Sequence, residues 1–299
     1  MSATGQYPGL LRLLWETATG RRAAERSGPL LQAFIDLPAP LRDAARWVLR
    51  PKRRFLLGRL RELARDRVLS GPFTGMQLVG LPAAPELIGC YERELDATVH
   101  ALAAQPFRQV INVGARFGYY AIGFARLMPG VPVHAFEGDD EARGILATAV
   151  AANGVQGRVT VRGFCDTPDL SAALGTGDGV LVLCDIDGGE VPLLDPVMVP
   201  ALTHATLLVE CHEPAGGPTE PVIVMRFLPT HDITRFETTP RHAEDVPVGV
   251  GDPWRSRMPA TFDALVQEHR TSPQSWLLLV PRSARRGMGD GSRGRAASR

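Results

Sequence analysis

Lysine is almost missing from this 299-residue chain: Lys52 is the only one, and arginine carries nearly all of the positive charge. Its scarcity removes the phosphate-loop pattern G-x-x-x-x-G-K-[ST], which needs a lysine to reach the terminal phosphates of a nucleotide. Cysteine is sparse as well, with Cys90, Cys165, Cys184 and Cys211 far apart. Three of these lie in or beside apolar runs, so they read as small buried residues in a reducing compartment rather than a disulfide frame. No apolar run reaches the roughly 20 residues that a bilayer span requires, and residues 1–30 lack the apolar core of a signal peptide. A cytoplasmic protein is expected. Net charge is only +1, so the chain as a whole has no electrostatic pull toward nucleic acid, and none is expected as a partner.

What is present is a glycine turn between a strand and a helix. In Val110-Ile-Asn-Val-Gly114-Ala-Arg-Phe-Gly118-Tyr-Tyr120 an apolar run meets two glycines four apart, and a helical segment over Ala121–Met128 follows. Such a turn at a strand's C-terminal end needs unusual φ and leaves no Cβ between backbone and ligand. About twenty residues on, the run Val131-Pro-Val-His-Ala-Phe136 ends on Glu137. An acid there accepts hydrogen bonds from the ribose hydroxyls of an adenosyl ligand. Each such bond is worth roughly 1.5–3 kcal/mol.

The spacing also narrows the ligand. A dinucleotide site follows G-x-G-x-x-G, but counting from Gly114 the second and third glycines are replaced by Arg116 and Tyr119. An arginine and a bulky aromatic keep a pyrophosphate from its usual seat. S-adenosylmethionine has no pyrophosphate and accepts a looser turn, so a methyltransferase is favoured over an NAD-type Rossmann oxidoreductase.

Further apolar runs alternate with helical segments: Arg158–Arg162, Val180–Cys184 and Ala205–Val209, with a helix over Asp140–Ala152 closed by Asn153-Gly154. A late pair of strands is predicted at Ile233–Glu237 and Ser275–Val280, separated by a helix from Pro259 to His269. The alternation predicts a doubly wound α/β fold. By analogy with folds of that type, a Rossmann-like class I methyltransferase architecture is expected, with a mostly parallel seven-stranded sheet whose last strand inserts antiparallel.

Five segments in register, spanning roughly residues 70 to 282, resemble the FkbM-type S-adenosylmethionine-dependent methyltransferases. They are Gly89-Cys-Tyr-Glu-Arg-Glu-Leu95, the glycine run at 110–120, Ala135-Phe-Glu137, Cys184-Asp-Ile-Asp187-Gly-Gly-Glu190 and Leu208-Val-Glu210-Cys-His-Glu213. The chain departs from the family pattern at Asn112, Arg116, Cys184 and Asp187, where Asp, Asn or Gly, Lys and Glu are usual. The resemblance implies that Asn112, Gly114, Ala115, Gly118, Tyr119, Glu137 and Gly138 line the cofactor S-adenosyl-L-methionine. It also implies a hydroxyl acceptor on a sugar, a polyketide-like metabolite or a glycoconjugate. A non-catalytic binding protein of methyltransferase fold remains an alternative.

Three more positions are candidates by place. Asp166, after the third strand, reaches toward the adenine amino group or is a solvated loop acid. Asp185, at the mouth of the fourth strand, holds substrate or the cofactor's amino group, or anchors a loop. Glu210, His212 and Glu213 close the fifth strand, and His212 or Glu213 is the candidate base for the acceptor hydroxyl. Glu190, after a Gly-Gly turn, reads as a helix-capping acid. No H-x-x-x-H or C-x-x-C pairing occurs among Asp185, Asp187, His212, Glu213, His231 and Asp232, so no metal is expected.

Three regions follow: a basic helical extension over 1–70, a methyltransferase domain over 71–282, and a disordered tail over 283–299. Within the extension, Leu41–Val68 carries Arg50-Pro-Lys-Arg-Arg54 beside leucines. Such a stretch rests on an anionic membrane surface, or packs its leucines on the catalytic domain or across a homodimer; the second is the simpler account. Residues Gly71–Val79 read as a small hairpin.

Overall fold

The computed structural model describes residues 51–212, 218–247, 249–250, 252–257, 259–268 and 274–283. The chain forms two units, Met1–Leu56 and Leu57–Arg299, and the sheet lies entirely in the second. Of the expected basic helix within 41–68, the segment Pro51–Ala64 (α1) is helical. The rest of that expectation, over 1–50, and the tail over 284–299 fall outside the described residues.

Seven strands form one sheet in the order β3-β2-β1-β4-β5-β7-β6. They are β1 (Gln109–Val113), β2 (Val133–Phe136), β3 (Val159–Arg162), β4 (Val180–Cys184), β5 (Thr206–Cys211), β6 (His231–Glu237) and β7 (Ser275–Pro281). The first five pair in parallel, while β7 runs antiparallel to both β5 and β6. A parallel sheet with its last strand slotted in reverse between β5 and β6 is the Rossmann-like class I methyltransferase fold.

The sequence dictates this through burial. Every residue of β4 and β5 is buried, as strands covered on both faces require. One face packs Val110, Ala135 and Leu183 beneath Ile122 and Phe124 of α4 (Tyr119–Leu127) and Leu146 of α5 (Asp140–Ala152). The opposite face packs Ile111, Val182 and Leu207 beneath Leu170 and Leu174 of α6 (Thr167–Leu174) and Ile223 and Phe227 of α8 (Thr219–Phe227). Short helices α2 (Ala84–Ile88) and α3 (Asp96–Ala103) precede the sheet, α7 (Glu190–Leu193) follows β4, and α9 (Asp252–Arg257) and α10 (Pro259–Val266) lie between β6 and β7.

Several boundaries shift for identifiable reasons. Strand β5 continues two residues past Val209 because its ladder with β7 extends through Glu210↔Trp276 and Cys211↔Ser275. Glu210 therefore sits inside the sheet rather than at its end. Strand β6 starts at His231, where it pairs with Pro281. Residues 71–79 form turns closed by a single antiparallel bridge, Arg67↔Gln77, instead of a regular hairpin. The neighbours of β1 are β2 on one side and β4 on the other, so the winding direction reverses at β1/β4. Such a reversal opens a crevice beyond the carboxyl ends of the two strands.

Candidate functional site

At the β1–β2 end of the strand rim, the polar groups are mainly backbone. Gly114 has φ +79, and a Cβ there would lie 1.7 Å from the Asp185 carbonyl oxygen. Gly118, at φ +95, opens α4; its Cβ would meet Ile122 Cδ1 and Leu146 Cδ1, each at 2.7 Å. Sequence reasoning expected the bare α-carbons to face a ligand. Each missing Cβ points into protein: Gly114 lets the ends of β1 and β4 touch, and Gly118 lets α4 and α5 close on the turn.

Gly114 and Ala115 donate their N–H groups to the Phe136 carbonyl at 3.0 and 2.9 Å. Arg116, in left-handed conformation at φ 45, donates its N–H to Glu137 Oε2 at 2.7 Å. Asp139 donates its own to Glu137 Oε1 at 2.8 Å. The half-buried Glu137 thus fastens the glycine turn to the end of β2, and each carboxylate oxygen still has acceptor capacity for a second donor. Beside it Gly138 is exposed, and a Cβ on it would lie 3.3 Å from the ring of Phe164. Phe164 is 75% exposed, an unusual state for a phenylalanine in a packed domain.

The remaining cofactor-side candidates are placed less openly. Asn112 is buried on β1; its Nδ2 reaches the Val113 carbonyl at 3.5 Å, and its Oδ1 has no partner in the described structure. Ala115 is buried too. Tyr119 stands edge-on to Phe73 and Tyr91, with centroids 5.1 and 5.3 Å away, and burial pushes its hydroxyl well above the usual range. Asp166 caps α6: its Oδ1 accepts the Asp169 N–H at 2.8 Å. That local role is enough to explain an acid at the position.

The β4–β5 end is made of side chains. His212, just after β5, is 12% exposed, and its Nδ1 lies 2.9 Å from Oε1 of the fully buried Glu190. Its Nε2 faces Asp187 Oδ1 at 3.5 Å, Glu210 Oε2 at 3.5 Å and Asp185 Oδ1 at 3.7 Å. Glu190 was expected only to cap a helix. It does open α7, but its Oε1 also accepts the N–H groups of Ile186 and Gly188 at 3.2 and 3.3 Å. Burial alone would raise the Glu190 carboxyl, yet the His212 bond and these amides hold it below the usual value. Burial alone would lower His212; its bond to Glu190 and the charge of Glu210 raise it instead. Burial, and then Glu210, with which it shares a hydrogen bond, push Asp185 well above the carboxylate range.

Asp185 and His212 are therefore brought together as candidates, whereas Glu213 lies outside the described residues. Sequence reasoning missed two acids. One is Glu190 as the partner of His212. The other is Glu92, buried in left-handed conformation at φ 48, with the Tyr120 hydroxyl donating to its Oε2 and its own N–H donating to Glu268 Oε1 at 2.8 Å. The Gly188-Gly189 turn was the signal available for Glu190; for Glu92 only its place within the segment 89–95 was. Asp185, Asp187 and His212 also offer ligand atoms that all lie within 4.8 Å of one another. A cavity of about 270 Å³ is lined by Cys211, His212, Glu220, Arg235 and Ser275. No helix among the described residues is long and apolar enough to cross a membrane.

No protein-family model matches this chain, and no curated protein sequence does. Solved structures resemble it at low identity and with TM-scores below 0.5. It is similar to the O-methyltransferase TomG of Streptomyces achromogenes, solved with S-adenosylmethionine, at 18% identity over 68% of this chain and 92% of that one, with a TM-score of 0.40. It is similar also to an O-methyltransferase of Bacillus cereus in complex with S-adenosylhomocysteine, at 14% identity over 75% and 90% of the two chains, TM-score 0.42. A third likeness is to the human methyltransferase 10 domain containing protein, at 14% identity over 76% and 95%, TM-score 0.45.

Proposed function

We propose that the protein is an S-adenosylmethionine-dependent methyltransferase that acts on a hydroxyl of a small molecule or glycoconjugate. The observation that carries this reading is Glu137. It stands at the carboxyl end of β2, holds the glycine turn through the Arg116 N–H, and keeps acceptor capacity toward solvent. An adenosine would set its ribose hydroxyls on that carboxylate and its base beside the exposed Phe164 ring. The methionine portion would then run past Gly114 into the β1/β4 crevice, toward Asp185.

The acceptor approaches from the Asp185–His212 end. Its hydroxyl oxygen attacks the methyl carbon in line, the carbon–sulfur bond breaks, and S-adenosylhomocysteine leaves as a neutral thioether. The hydroxyl proton passes to the Asp185–His212 group. Because a sulfonium is already an activated leaving group, positioning supplies much of the rate.

Methyl-labelled S-adenosylmethionine incubated with the protein and a panel of sugar and polyketide-like hydroxyl acceptors tests the activity. Label transferred to an acceptor oxygen, and lost in Glu137→Ala, supports the reading. Label retained on the cofactor across the panel, together with no S-adenosylhomocysteine affinity, overturns it.

A further inference from the structure

The histidine at the end of β5 is ringed by acidic side chains. Its Nδ1 is engaged by Glu190, so Nε2 is the ring atom turned toward the remaining acids. It faces oxygens of Asp185, Asp187 and Glu210 at 3.5–3.7 Å. None of these separations is a hydrogen bond. Two atoms bound to one ion at about 2.0–2.2 Å each lie roughly 3.0–3.6 Å apart. The spacing around Nε2 is therefore close to that of ligands around an ion.

A second, independent feature points the same way. Glu190 is wholly buried, fixes the ring through Nδ1, and leaves its other oxygen, Oε2, without a partner in the described structure. A buried carboxylate behind a histidine is how a protein orients an imidazole toward a metal and raises its basicity. Four carboxylate side chains, those of Asp185, Asp187, Glu190 and Glu210, surround this one ring. Asp187 adds the open side: its side chain is 96% exposed and projects from a left-handed residue at φ 51. An ion could enter and leave there without opening the core.

We infer that Asp185, Asp187 and His212 bind a divalent metal cation, with Glu190 holding the histidine in place. Two carboxylates and one imidazole form a mixed oxygen–nitrogen set suited to a first-row divalent ion, and water or an acceptor hydroxyl would complete its coordination. The site itself stands on this geometry alone; its use in activating an acceptor rests on the methyltransferase reading. Linear spacing concealed it, because one ligand pair comes from the loop after β4 and the third from the end of β5.

The test is titration of Mn²⁺ into the full chain after chelation and desalting, with free Mn²⁺ read by electron paramagnetic resonance. Wild type should bind one ion per chain. Asp187→Asn removes one anionic ligand at an exposed position where asparagine tolerates the same backbone, and should weaken binding at least about tenfold. Glu190→Gln should weaken it by about 10- to 100-fold. No ion bound by wild type, or equal affinity in Asp187→Asn, would overturn the inference. Parallel S-adenosylhomocysteine titrations separate the two claims. Cofactor bound without Mn²⁺ removes the metal site and leaves the transferase; Mn²⁺ bound without cofactor does the reverse.

Discussion

At the β1–β2 end of the strand rim, Glu137 is held by two backbone amides, and the turn around it is shaped by Gly114 and Gly118. At the β4–β5 end, one histidine is held by a carboxylate and faces three more. The first end is fixed by main-chain geometry and presents a single acceptor surface. The second stores like charge in a half-buried space, which is favourable only when a cation or a proton is present. One end is suited to recognising a ligand of constant shape, and the other to handling charge that changes.

Gly114→Ala should break the first end most severely. The new Cβ meets a backbone oxygen that cannot swing aside, and φ is positive. About 1–2 kcal/mol for the conformation and about 1–3 kcal/mol for overpacking give a loss of about 3 kcal/mol in urea unfolding. A fully stable Gly114→Ala protein would mean that β1 and β4 do not touch as described. Gly118→Ala should cost less, since its neighbours are side-chain methyls.

Glu137→Ala comes next. S-adenosylhomocysteine affinity should fall by roughly 1.5–3 kcal/mol in calorimetric titration. Asp166→Ala sharpens the contrast: loss of the α6 cap should lower stability by about 1 kcal/mol and leave cofactor affinity alone. A weaker cofactor complex in Asp166→Ala would return that acid to the adenine site.

The smallest effect concerns pH. His231 is fully buried, with Nε2 donating to the Ala205 carbonyl at 3.0 Å and Nδ1 lying 2.8 Å from Thr230 Oγ1. Burial, then the charge of Arg282, outweigh that carbonyl and lower its pKa. Below pH of about 6.5 the unfolded chain takes up a proton that the folded one refuses. Its stabilising contribution is thus complete above that pH and is lost as pH falls toward the depressed folded value. Unfolding curves from pH 7.5 to 5.5 should show that decline, and His231→Gln should flatten it. An identical slope in both proteins would remove His231 as its source.

Much of the fold was legible because the strands and helices carry short-range patterns. The helix Asp140–Ala152 and the strand Val180–Cys184 fall where periodicity placed them. The pairing Gly114 to Glu137 was equally visible, since a strand–helix–strand unit fixes that distance along the chain. What stayed hidden was convergence. Glu190 and His212 are 22 residues apart, and only the approach of the β4 and β5 ends makes them neighbours. The depth of Glu210 depended on a ladder with β7, from more than sixty residues on. A packing reason for Gly114 was hidden for the same cause: the Asp185 carbonyl that it must clear follows another strand.

Calorimetric titration of S-adenosylhomocysteine into the purified chain, with NAD in parallel, tests the central claim most directly. Micromolar binding of S-adenosylhomocysteine alone, weakened in Glu137→Ala, is the predicted result. Binding of NAD in its place, or S-adenosylhomocysteine affinity unchanged in Glu137→Ala, would contradict the account.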